Sequence, residues 1–298
     1  MRSKKSAVVL GLLRRVKPVI CNLSLDRKRA GSDLLGKLKK MPSDLRILPA
    51  AAPCPAEWML PAGERGERVI LYSHGGAYEG GSLLSSRPLA AALAQETGRR
   101  VLSYHYRLAP EHPFPAALED ALAVYRYLYR EEGISPDAVA LAGDSAGGGL
   151  SLALTLRLKE LGEPLPGGIV CLSPWADLTG SASSHRTRAQ DDPIIQSEGL
   201  HQSALHYAAG TALSSPYLSP VYGDLTGFPP VLIQVGTNEV LLGDSLLLKK
   251  RLEECQVPVR LTVFDGMWHV FHVFDLPETN EALEEIRLFL DGNLAENV

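Results

Sequence analysis

From residue 66 onward, short apolar runs alternate with segments of helical period, and nothing else in this sequence restricts the fold as tightly. Strands are predicted at Arg68–Ser73, Val101–Tyr104, Ala138–Ala142, Gly168–Leu172, Val231–Val235 and Val259–Phe264. Between them, Arg87–Glu96 reads as a helix stopped by Gly98, and Ala146–Leu161 and Ser245–Glu254 read as two more. Leu118, Ala121, Leu122, Tyr125, Leu128 and Tyr129 recur at i, i+3, i+4, i+7 spacing, which marks a further amphipathic helix closed by Gly133. Continuous apolar strands separated by helices imply βαβ units, and so a mostly parallel central sheet flanked by helices on both faces. The chain has 298 residues, 45% hydrophobic and 21% charged, which excludes wholesale disorder and allows one large α/β domain.

Two segments break the alternation. Residues 1–50 are basic and helical-looking, with no obvious strand, and residues 180–215 are polar with short helical pieces. Ligands in open α/β sheets bind beyond the carboxyl ends of the strands, so both segments are expected to form a helical cap over that end. The resulting division is 1–50 as the first part of the cap and 51–298 as the main domain, with 180–215 inserted as the second part.

The N-terminus imitates a secretory signal, with Lys4 and Lys5 before the apolar stretch Ala7–Leu13, but Arg14 and Arg15 cut that stretch short. A basic amphipathic helix packed on the body is the preferred reading, and contact with a membrane surface is its rival. No run reaches the roughly 18 apolar residues of a membrane span. Cys21, Cys54, Cys171 and Cys255 are far apart and form no C-x-x-C, so reduced thiols in a cytoplasmic protein are expected. A net charge of −4 argues against nucleic acid as the main partner.

Gly143-Asp144-Ser145-Ala146-Gly147 is a G-x-S-x-G pattern entered by an apolar strand and left by a helix, the context of a nucleophile elbow. The sharp turn strains the serine backbone, and the flanking glycines relieve crowding. No dinucleotide or P-loop spacing accompanies it. His74-Gly75-Gly76-Ala77 follows the first strong strand. The N–H groups of Gly75 and Gly76, with that of Ala146, are predicted to receive an oxyanion formed in acyl transfer. His74 reads as a loop anchor.

A serine hydroxyl needs a base. His269, just after the last strand and a Gly-containing turn, is preferred over His272. The acid that orients the base belongs on the loop after Val235, where Glu239 and Asp244 compete. Glu239 is preferred, because Asp244 reads as the N-cap of the next helix. The expected order is therefore Ser145, Glu239, His269.

Taken together, His74–Ala77, Tyr106-Arg-Leu-Ala-Pro-Glu-His-Pro-Phe-Pro-Ala-Ala117 and Gly143-Asp-Ser-Ala-Gly-Gly148 resemble the hormone-sensitive lipase family of α/β-hydrolases, most of all its bacterial carboxylesterases. The resemblance runs from about Leu45 to the C-terminus. It implies hydrolysis of short-chain acyl esters, no cofactor and no metal, a two-part helical cap, and an Asp144 that braces the loops around the oxyanion. Two positions depart from the family pattern. Ala77 replaces a third glycine, and Glu239 stands where Asp is common.

Smaller expectations complete the picture. Arg107 and Glu111 are expected to hold their Pro-rich loop together. Trp175, Tyr78 and Tyr207 are candidates for a substrate pocket or for plain core. An amidase or peptidase, and a non-catalytic binding module, are the rival functions on this fold. An edge strand at 259–264 offers a route to a homodimer.

Overall fold

The computed structural model describes residues 2–63 and 68–292, so parts of the predicted main domain, 64–67 and 293–298, lie outside the described residues. Two helices come first, α1 (Lys4–Cys21) and α2 (Leu25–Leu38), followed by strands β1 (Arg46–Ala50), β2 (Ala56–Leu60) and β3 (Val69–Ser73). The alternation then runs α3 (Leu83–Thr97), β4 (Arg100–Tyr104), α4 (Ala116–Arg130), β5 (Val139–Asp144), α5 (Ala146–Glu160) and β6 (Gly168–Leu172). The second insertion supplies α6 (Ser184–Thr187) and α7 (Ser197–Ala208). The chain closes with β7 (Val231–Gly236), α8 (Leu242–Glu254), β8 (Val259–Phe264) and α9 (Pro277–Leu290).

Among the described residues the strands form one eight-stranded sheet in the order β1-β2-β4-β3-β5-β6-β7-β8. From β4 to β8 the neighbours are parallel, while β1 and β2 join antiparallel at the opposite edge. Side chains of β3 alternate between two cores. Val69 and Leu71 face the core shared with α4, α5 and α8, whereas Ile70 and Tyr72 face that of α3 and α9. Burial on both faces is why the central strands read as unbroken apolar runs.

Three sequence expectations need correction. Residues 1–50 do contribute a strand: β1 occupies Arg46–Ala50 and pairs with β2. Helix α3 begins earlier than expected, at Leu83, because the Ser82 hydroxyl accepts from the Leu84 and Ser85 N–H groups in a capping box. Helix α8 also begins earlier, at Leu242, which puts Asp244 in its first turn and removes it from the cap.

The first two helices are fastened to the body at several points. Gly36 of α2 lies directly against the Leu84 carbonyl of α3, leaving no room for a side chain. The Ser3 N–H donates to Glu278 of α9 at 2.5 Å. Lys17 Nζ donates to the carbonyls of Ala189 at 3.2 Å and Asp192 at 2.6 Å, tying α1 to the second insertion. Arg29 of α2 makes a two-pronged ion pair with Glu111, at 2.7 and 2.8 Å. That pair overturns the expected Arg107–Glu111 contact. Arg107 turns instead to Asp120 at 2.9 Å and Glu119 at 3.1 Å.

Candidate active site

Ser145 is the single residue between β5 and α5, with φ 55° and ψ −121°. This strained bend holds because its backbone is anchored on both sides. The Ser145 N–H donates to the Leu172 carbonyl at 2.8 Å, and its own carbonyl accepts from Trp175 at 2.9 Å and from Gly148 at 3.0 Å. A Cβ on Gly143 would run into the Gly147 backbone, and one on Gly147 into the Ser73 carbonyl, so both glycines are required by contact. The first turn of α5 directs its N–H groups toward the same end of the sheet.

Across this end, the loop after β7 carries Glu239, wholly buried. Its Oε1 accepts from the Ser173 hydroxyl at 2.8 Å and the Gly236 N–H at 2.5 Å, and its Oε2 lies 3.1 Å from His269 Nδ1. A carboxylate only accepts, so the proton of His269 sits on Nδ1 and its Nε2 is left with a lone pair. Burial disfavours the imidazolium, but the Glu239 hydrogen bond and the carboxylates of Glu239, Asp192 and Asp144 outweigh it and hold His269 above its ordinary value. Burial likewise raises the Glu239 carboxyl, against the pull of its donors.

Ser145 and His269 line one cavity of about 480 Å³, with Gly75, Gly76, Ala77 and Asp144. No hydrogen bond joins Ser145 to His269 here; such contacts tighten once substrate is seated. The cavity walls are mostly apolar: Leu35 from α2, Ile194, Ile195 and Leu200 from the second insertion, and Val270 and Val273 beyond His269. Both segments predicted as cap thus contribute to its lining. A larger cavity of about 670 Å³, lined by Arg29, Cys54, His105 and Glu111, contains neither Ser145 nor His269. Burial pushes its Cys54 thiol up to about 12, so that thiol is not activated.

One of the three N–H groups expected to face an oxyanion already has a partner. The Gly75 N–H is already committed to Asp144 Oδ1 at 2.9 Å, and Asp144 also accepts from the Tyr72 hydroxyl. That bond occupies the Gly75 N–H and ties its loop to the elbow. Among the described residues, the N–H groups of Gly76 and Ala77, after β3, and of Ala146, at the start of α5, make no hydrogen bond. The backbone explains why. Gly76 adopts φ 120° and Ala77 φ 56°, which turns two successive N–H groups away from Asp144.

The remaining candidates are engaged in other contacts. His272 is buried 3.1 Å from Gln234 Oε1, and burial pushes it down to about 3. His74 contacts the Gly75 carbonyl at 2.8 Å and His105 at 3.3 Å, an anchor as expected. Asp244 is wholly buried, accepts from the Asp177 N–H at 3.2 Å and lies 2.9 Å from His185 Nε2. Trp175, Tyr78 and Tyr207 are core, the two tyrosines stacked at 3.7 Å.

Sequence reasoning missed two residues. Ser173, at the end of β6, donates to Glu239 and accepts from the Val270 N–H at 3.2 Å, linking acid and base loops. Asp192 of the second insertion accepts from the Ile194 and Ile195 N–H groups through one oxygen and from the Val240 N–H through the other, at 2.9–3.0 Å. The bonds that tie these two residues to the acid and base loops, Asp192 to Val240 and Ser173 to Glu239 and Val270, span 48 to 97 residues and leave no local signature.

The pattern that defines the alpha/beta hydrolase fold family matches residues 70–273. A solved esterase of the bacterial hormone-sensitive lipase family superposes with a TM-score of 0.93 at 38% identity, covering 99% of this chain and 100% of that one. The chain belongs to the α/β-hydrolases, in the hormone-sensitive lipase family. An acetyl-hydrolase of Streptomyces hygroscopicus is 46% identical to this hydrolase over 239 residues, 80% of this chain and 79% of the relative. An esterase of Acinetobacter venetianus is 38% identical over 240 residues, 76% and 79% of the two chains.

Proposed function

We propose that this hydrolase is a serine carboxylesterase that cleaves short-chain acyl esters through an acyl-enzyme. The observation that carries the reading is the His269 imidazole, fixed at Nδ1 by buried Glu239 and sharing one cavity with a serine at a strained elbow. Ser145 Oγ attacks the ester carbonyl while its proton passes to His269 Nε2. The negative carbonyl oxygen is received by the N–H groups of Gly76, Ala77 and Ala146. Collapse breaks the C–O bond, and the imidazolium protonates the leaving alcohol. Water then attacks the acyl-serine, giving its proton to His269, and collapse returns that proton to Ser145 Oγ and releases the acid. Glu239 keeps the tautomer and stabilises the imidazolium throughout.

The names of the relatives, acetyl-hydrolase and esterase, support a small acyl group, and the apolar walls of a cavity of about 480 Å³ favour a neutral substrate. In this reading α1, α2 and residues 180–215 act as the two-part cap. Four cysteines without a disulfide fit a reducing cytoplasm. Strand β8, at one edge of the sheet, is the proposed route to a homodimer. Replacing Ser145 with Ala should abolish turnover of p-nitrophenyl acetate and covalent labelling by an organophosphate, with the circular dichroism spectrum unchanged. Retained turnover, or label on another residue, would overturn the assignment.

A further inference from the structure

Charge is divided very unevenly along this chain. Residues 2–40 hold twelve of its 30 Lys and Arg but only two of its 34 Asp and Glu, so that segment carries +10 and the remainder −14. Many of these cations are not consumed by the fold. Lys4, Arg15, Arg27, Lys28, Lys37 and Lys40 are exposed, and their side chains form no ion pair or hydrogen bond among the described residues.

The same two helices leave apolar side chains in water. Val8, Leu12 and Val19 of α1 and Leu34, Leu35 and Leu38 of α2 are each 56–74% exposed. Val8, Leu12 and Val19 fall within about 40° of one another around a helix of 100° per residue, with Arg15 on the same line. This line is not a face turned toward the core. Leu10, on the opposite side of α1, is the residue buried with Phe264, Met267, Trp268 and Phe271. On α2, Leu35 also lines the cavity that holds Ser145, together with Ile194, itself 40% exposed. Cations and apolar side chains are therefore concentrated on two helices, one of which, α2, contributes to the cavity wall through Leu35.

A helix with these properties has a physical partner. Anionic phospholipid headgroups attract clustered Lys and Arg, and the acyl boundary beneath them accepts apolar side chains. A nucleic acid supplies the charge but nowhere to bury six apolar residues. The −14 carried by the rest of the chain is repelled by the same surface, which selects the N-terminal face for contact. We propose that α1 and α2 dock the hydrolase peripherally on an anionic phospholipid bilayer, with the entrance of the Ser145 cavity toward the lipid. Ester substrates dissolved in the bilayer then reach the cavity past Leu35 and Ile194.

Binding is read separately from catalysis by using the full chain with Ser145→Ala, so failure of the esterase reading leaves this test intact. The probe is co-sedimentation with vesicles of 70% phosphatidylcholine and 30% phosphatidylserine, against pure phosphatidylcholine, at low and high salt. The expected result is binding to the anionic vesicles only, weakened by salt. Two variants should each reduce the partition coefficient at least about tenfold: Arg15→Glu/Lys28→Glu/Lys37→Glu, and Val8→Asp/Leu12→Asp. In the Ser145 background both should hydrolyse water-soluble p-nitrophenyl acetate at the unaltered rate, which certifies the fold. Equal binding to both vesicle types, binding to neither, or preferential binding to duplex DNA would overturn the proposal. So would a dimer in solution that Val8→Asp/Leu12→Asp dissociates, since a second copy would then cover this face.

Discussion

Two carboxylate–histidine pairs lie close together in this molecule, and only one belongs to the reaction proposed for it. Glu239 and Asp244 are five residues apart, both wholly buried, at 3.1 and 2.9 Å from a histidine nitrogen. By distance alone Asp244–His185 is the better pair, and the two acids are equally buried. The difference lies at the far side of each imidazole. His269 shares its cavity with Ser145 and with Gly76 and Ala77, whose N–H groups are unbonded, so a proton taken up there has a nucleophile to come from. His185 sits on the short helix α6 of the second insertion and lines no part of that cavity. Asp244 meanwhile holds the Asp177 N–H, so this second pair pins inserted chain to the main domain. A carboxylate beside an imidazole is thus common to catalysis and to scaffolding, and the neighbour of the second ring nitrogen separates them.

The sharpest way to break this contrast is to neutralise each acid in turn. Glu239→Gln should lower kcat for p-nitrophenyl acetate by about 10³–10⁴-fold, the scale seen when the orienting acid of a serine triad becomes an amide. Asp244→Asn should leave kcat within about threefold. The reverse order would transfer the orienting role to Asp244.

How far the contrast was visible beforehand depends on what each residue's role rests upon. Ser145, His269 and Glu239 were legible because strand ends and tight turns put them at predictable places in a parallel sheet. The central strands were legible because burial on both faces leaves unbroken apolar runs. Strands β1 and β2 were not, since an antiparallel edge pair with Pro49 and Glu57 gives no such run. That Asp144 takes the Gly75 N–H and leaves those of Gly76 and Ala77 unbonded goes with two positive φ angles, which residue identity only permits. Arg29 as partner of Glu111, and Ser173 and Asp192 as supports of the acid loop, depend on distant chain segments and have no local signature.

A graded effect should come from Ser173, whose hydroxyl bridges Glu239 and the Val270 N–H. Ser173→Ala removes one donor to Glu239 and the acceptor for the Val270 N–H, so kcat should fall about tenfold while KM changes little. A loss confined to KM would mean that Ser173 shapes the pocket and does not position the acid.

The pairs should also differ in how activity responds to pH. The free base requires neutral His269, whose protonation is favoured by the three surrounding carboxylates, so kcat/KM should fall on the acid side through a midpoint above the ordinary histidine value of about 6.5. In Glu239→Gln the residual activity should show that midpoint shifted downward, because the imidazolium has lost its main stabilising partner. Asp244→Asn should leave the midpoint in place. An unshifted limb in Glu239→Gln would assign the titration to a different group.

The smallest catalytic effect and the clearest structural one are expected together at Asp244. Burial pushes this carboxyl up to about 6, against the opposing pull of His185. An amide of the same shape keeps one oxygen for two claimants, the Asp177 N–H and His185 Nε2, and turns an NH₂ toward the other. Losing one hydrogen bond to a charged, buried group costs about 2 kcal/mol. In a domain of this size that corresponds to a fall of about 5 °C in Tm. Differential scanning fluorimetry on Asp244→Asn, read beside its kcat, therefore tests both sides of the comparison in one variant. An unchanged Tm with a depressed kcat would mean that the scaffolding pair takes part in the chemistry, and the distinction drawn from the second ring nitrogen would fail.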